Sequence, residues 1–193
     1  RENTRRGSWF LAVSTPPDRP GAARPLDTLL SASQQSLVQT DRLRGDSMRF
    51  DRMTLKAQEA LEESQELART YAHPEIRPLH LVLALTRQPE GIVAPILEKL
   101  GADPRAVASA AEVRLNALPK VEGQQDIGVS RALQDVLEVA EKTAKEFQDE
   151  YVSTEHLLLA MVRGKGEAAD LLKKLGATPD NILHALREVR GSS

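Results

Sequence analysis

The 193-residue chain contains no cysteine. Disulfides and thiolate metal sites are therefore excluded, and a reducing, cytoplasmic setting is the expectation. Aromatic residues are scarce, at 3%, while Ala, Leu, Glu, Lys and Arg are plentiful, which favours helices over a β-sandwich. No apolar run approaches the ~20 residues of a membrane span. The apolar stretch at residues 8–13 is too short for a signal-peptide core. Neither sign of charge prevails, with a formal net charge of -2; neither nucleic acid nor an acidic membrane is an expected partner. A phosphate cradle of the form G-x-x-x-x-G-K-[ST] is missing as well, and Gly164-Lys165-Gly166 reads as a turn. With no Cys nucleophile and no Ser/His/Asp arrangement standing out, neither catalysis nor a bound cofactor is expected within these residues.

The composition changes near Met48. Residues 1–47 hold seven Arg and no Lys, and Pro16, Pro17, Pro20 and Pro25 break any long helix. Such a segment buries too little apolar surface to offset its ordering entropy, so a disordered extension is expected. A short helix over 27–43 is the one exception to weigh, and it is marginal at that length. Arg44-Gly45-Asp46 spells an adhesive tripeptide, but no secretion signal accompanies it.

After Met48 the apolar spacing becomes helical. Leu55, Ala57, Ala60, Leu61, Ser64, Leu67, Ala68 and Tyr71 share one apolar face of a first helix that Pro74 is expected to stop. Pro78 suits the first position of a second helix, and residues 92–100 form a third, closed by Gly101. Asp103-Pro104 opens a fourth that runs to about Leu118, and a loop over 119–128 follows. The chain then repeats itself. A shift of 76 places Ala60 on Val136, Leu61 on Leu137, Ala68 on Ala144, Tyr71 on Phe147 and Pro78-Leu79-His80-Leu81 on Thr154-Glu155-His156-Leu157. A shift of 75 then places Leu100-Gly101-Ala102-Asp103-Pro104 on Leu175-Gly176-Ala177-Thr178-Pro179. The expected fold is all-α: two tandem four-helix units, each burying its own stripe, packed side by side. His80 and His156 fall on equivalent positions, which points to a structural role at a helix start. His73 lies seven residues from His80, not the three or four of ligands on one helix face, so no metal site is expected.

This organisation resembles the Clp N-terminal repeat domain over about 48–191, as repeat one (54–118), connector (119–129) and repeat two (130–190), with 192–193 as the start of a linker. Three segments resemble the ClpB-type disaggregase chaperones in particular: Met48-Arg49-Phe50-Asp51-Arg52-Met53-Thr54 at the start, Leu118-Pro119-Lys120-Val121-Glu122-Gly123 between repeats, and Leu186-Arg187-Glu188-Val189-Arg190-Gly191 at the exit. Tyr151-Val152-Ser153-Thr154-Glu155-His156-Leu157 is shared more widely, including by the unfoldases that serve the Clp protease. If Met48 is the natural start, residues 1–47 have no counterpart in the family.

The resemblance implies a module that captures exposed apolar segments of unfolded or aggregated polypeptides. It implies a parent homohexamer built through ATPase modules that bind ATP and magnesium, working with the DnaK chaperone system. The alternative is a domain that docks adaptors for a protease-associated unfoldase; the 118–123 connector favours ClpB. By the same resemblance Thr54, Asp149 and Glu155 match positions that matter for chaperone function, and the apolar groove positions fall on Val139, Thr143 and His156. Two of those three are not aliphatic here, and Tyr151 and Leu157 are placed to compensate. The groove is expected where Asp149, Tyr151 and Glu155 meet the first helix at Thr54.

Overall fold

The computed structural model describes residues 50–123 and 126–191, with side chains described as far as 188; the tail readings, including the 27–43 helix and the adhesive tripeptide, lie outside them. A 3-10 turn, Phe50–Arg52, leads into eight helices: α1 Leu55–Thr70, α2 Pro78–Arg87, α3 Val93–Lys99, α4 Pro104–Asn116, α5 Arg131–Glu146, α6 Thr154–Arg163, α7 Glu167–Lys174 and α8 Pro179–Gly191. The correspondence of 76 residues becomes a correspondence of caps. Thr54 Oγ1 accepts the Ala57 amide at 3.3 Å, and Ser130 Oγ accepts the Leu133 amide at 3.2 Å. Gly101 and Gly176 close α3 and α7 with positive φ of 76° and 87°, the left-handed cap that glycine adopts without cost at Cβ.

The long helices stop differently from expectation. Pro74 does not end α1; the helix is already over at Thr70, where Ala72 turns the chain with φ 57°. Gln148 does the same after α5 at φ 59°. In both, the amide two residues past the cap reaches back into the last turn: His73 N–H to Ala68 O at 2.8 Å and Asp149 N–H to Ala144 O at 2.9 Å. These are Schellman loops closed by non-glycine residues.

Two short backbone pairings, not expected from the helical periodicity, tie the halves together. Strand β1, Glu75–Ile76, runs parallel to β2, Gly128–Val129, within the segment read as a loop. Met53 pairs in parallel with Val152. The pairings are equivalent. Thr54 N–H donates to Val152 O at 2.9 Å, and Ser130 N–H donates to Ile76 O at 3.0 Å. In each, the residue that caps the first helix of one repeat bonds to the lead-in of the second helix of the other. The two stripes are accordingly not buried separately. Leu79, Leu83, Leu97, Leu133, Leu157 and Leu172 belong to a single buried cluster, and α2 touches α5, α6 and α7 while α3 and α4 also meet helices of the second repeat.

Candidate functional site

The Met53–Val152 pairing places the start of α1 beside the lead-in to α6, so four of the seven sequence-selected residues come together there. Thr54 is half-buried and holds α1 by its cap. Asp149 and Glu155 are half-buried, and the Tyr151 side chain is 47% exposed. Leu55, one residue past Thr54, is 70% exposed. The large exposed apolar side chains of the described residues are Leu55, Val113 and Tyr151, and two of these flank this junction.

The Schellman loop after α5 carries Asp149 to the mouth of α6. There its Oδ2 lies 3.1 Å from Nε2 of His156. The other ring nitrogen of His156, Nδ1, accepts the Ser153 backbone N–H at 3.0 Å. In the neutral ring the proton therefore sits on Nε2, the nitrogen that faces the Asp149 carboxylate. The phenyl ring of Phe147 packs edge-on against the imidazole. A shallow cavity of about 120 Å³ lies behind this carboxylate, against Arg52, Lys145 and Val152.

The first repeat has the same frame with different chemistry. His80 Nδ1 accepts the Arg77 N–H at 2.9 Å, and Nε2 meets His73 Nδ1 at 2.8 Å. His73 is the counterpart of Asp149, so the shared frame is a helix-start histidine gripping the residue that follows the preceding Schellman loop. The structural role read for His80 and His156 is what the geometry shows. The seven-residue spacing did not keep His73 and His80 apart, because the loop between helices folds them together. Burial pushes the His80 imidazole down to about 4, with the neighbouring His73 contributing; burial also lowers His73. Among the described residues no group of three or more potential metal-ligating side chains converges.

The remaining selected residues lie deeper. Thr143 is fully buried; its hydroxyl donates to Val139 O at 2.8 Å and accepts from Arg163 Nη1 at 3.0 Å. His156 is 1% exposed, and Val139 is half-buried against the core. Thr143 and His156 therefore lie beneath the surface rather than on it. Leu157, placed in the sequence to compensate for them, is fully buried and cannot. Leu55 is a correction: the sequence reading placed it on the apolar stripe of the first helix, but as the first residue of α1 it is 70% exposed, outside the face that packs on the core. A signal for this was present: the apolar residues before each cap, Met53, Ile76, Val129 and Val152, recur with the repeat and mark the pairings that expose it.

The Clp repeat (R) N-terminal domain matches residues 52–175. The ClpB chaperone of Corynebacterium diphtheriae is 44% identical over 141 residues, covering 72% of this chain and 17% of that protein. That of Rhodopirellula baltica is 37% identical over 147 residues, covering 76% of this chain and 17% of that protein. The chain thus spans about a sixth of the length of these relatives. The crystal structure of the Hsp104 N-terminal domain from Candida albicans superposes with a TM-score of 0.63 at 24% identity, over 73% of this chain and 93% of that one. Paired repeats, matching caps and these relatives agree, and the chain belongs to the Clp repeat N-terminal domain family, with the ClpB chaperones above among its relatives.

Proposed function

We propose that this chain is the substrate-capturing module of a ClpB-type disaggregase, with repeats at 54–118 and 130–190 joined by the 119–129 connector. Its role is to hold exposed apolar segments of unfolded or aggregated polypeptides and pass them to an ATPase ring. The observation that carries this reading is the pair of exposed apolar side chains, Leu55 and Tyr151, at a junction rimmed by Asp149, Glu150 and Glu155. A small apolar patch with a polar rim gives weak, sequence-tolerant binding, and weak binding permits release to a pore. Six such modules on a homohexamer would raise effective affinity without a tight single contact. ATP and magnesium belong to the ring modules, and cooperation with DnaK belongs to the parent protein. Adaptor docking for a protease-associated unfoldase is the second reading, and the ClpB relatives at 37% and 44% identity favour the first.

The test is binding of a permanently unfolded protein, measured by fluorescence anisotropy. Tyr151→Ala and Leu55→Ser should each weaken it several-fold while helical content by circular dichroism is retained. Thr54→Ala should do likewise and lose about 1 kcal/mol of stability with its cap. Equal binding by all four proteins at equal folding would place the site elsewhere.

A further inference from the structure

The second pairing, Ile76–Val129, lies beside a groove of about 350 Å³ that the reading above does not use. Its floor is apolar, formed by Leu79, Val136, Met161 and Ala168, which are all less than 9% exposed. Its rim carries three cations, Arg77, Arg131 and Lys165. Two carboxylates share the lining, Glu75 and Glu167. Arg77 Nε meets Glu75 at 2.9 Å, so that pair is internally compensated. The Arg131 side chain is 87% exposed, and its link to Asp135 at 3.2 Å is a solvated i,i+4 pair of little strength. Lys165 has no ion pair among the described residues, and Glu167 is the lining carboxylate that stands outside the Glu75–Arg77 pair.

The repeat correspondence sharpens the contrast. At the Thr54–Val152 junction, Leu55, Tyr151 and Glu155 stand where this groove has Arg131, Glu75 and Leu79. One junction therefore carries exposed apolar groups among carboxylates, and the other an apolar floor beneath accessible cations. We propose that the groove binds an extended peptide segment in which an apolar side chain neighbours a carboxylate, the apolar group entering over Leu79 and Met161 and the carboxylate meeting Arg131 and Lys165. The module then has two peptide sites of opposite charge preference. This groove does not depend on the Tyr151 site, and the two are separable by mutation.

The probes are two fluorescein-labelled peptides of equal length, one alternating Leu with Asp and one alternating Leu with Lys. The Leu/Asp peptide should bind about tenfold more weakly to Arg131→Glu/Lys165→Glu than to wild type, and Tyr151→Ala should leave its binding unchanged. Ala132→Trp, at an exposed position on the groove lining, should block the same peptide by filling the groove, which covers the case in which the double charge reversal does not fold. The proposal is overturned if the Leu/Asp peptide fails to bind, if both charge reversal and Ala132→Trp leave its affinity intact in folded protein, or if Tyr151→Ala abolishes it.

Discussion

His80 and His156 show how one residue is used twice with different consequences. Each ring accepts the backbone N–H three residues earlier and offers its other nitrogen to a residue after the preceding helix. In the second repeat that residue is Asp149, whose carboxylate lies 3.1 Å from the ring nitrogen at the candidate site. In the first it is His73, so two imidazoles share a buried space, and both are pushed down by burial. The sign of the pH effect follows. With His80 held at about 4 in the fold and an ordinary value near 6.5 when unfolded, the unfolded chain binds a proton that the native chain refuses between those values. Stability is therefore lost as pH falls through that window and is not regained on further acidification. The expected loss from His80 is on the order of 3 kcal/mol between pH 7 and pH 4. Thermal midpoints measured across this range should fall less steeply for His80→Gln than for the wild type. Parallel slopes in the two proteins would show that the imidazole pair is not the source.

At the scale of elements, the helices and their order were legible because their punctuation is local. Gly101 and Gly176 need no tertiary partner to end a helix, and Asp103-Pro104 and Thr178-Pro179 start the next one by the same means. The stops after α1 and α5 were not legible, since Ala72 and Gln148 have no intrinsic preference for the left-handed region. Tertiary structure imposes it: the turn must deliver His73 and Asp149 to the histidines of the next helix. The two-residue pairings were hidden for a similar reason, because a strand of that length has no period to read. The candidate site was legible in part. Thr54, Asp149 and Glu155 were selected by resemblance and Tyr151 as one of few aromatic side chains, and their nearness in sequence or across the pairing keeps them together, whereas the burial of Thr143, His156 and Leu157 depends on how α5 and α6 meet. The strained stops make a prediction. Gln148→Gly and Ala72→Gly should each stabilise the fold by about 1 kcal/mol, because glycine escapes the Cβ clash of the left-handed region. Chemical denaturation should show a raised midpoint with an unchanged slope. A lowered midpoint would mean that the side chains at 72 and 148 contribute more than the strain they cause.

The whole molecule is less divisible than its sequence repeat suggests. Each half has four helices of ordinary length and could be read as a small bundle. Yet the backbone pairings cross between the halves at both junctions, and one apolar cluster runs through both. A half taken alone would expose Leu83, Leu97 and their neighbours on α2 and α3 to water, and its two short lead-in segments would lose their hydrogen-bond partners. Around 70 residues is already a marginal size for an independent core, and losing the shared surface should take it below the threshold. Residues 48–123 and 124–193 produced separately should therefore show low helical content and no cooperative thermal transition, while the full chain unfolds in a single one. Mixed together, the two pieces should regain helix in a concentration-dependent way, because association restores both pairings and the common core. A cooperative transition in either piece alone would mean that its four helices bury a sufficient core by themselves. The crossed pairings would then serve to align two independent bundles rather than to complete one.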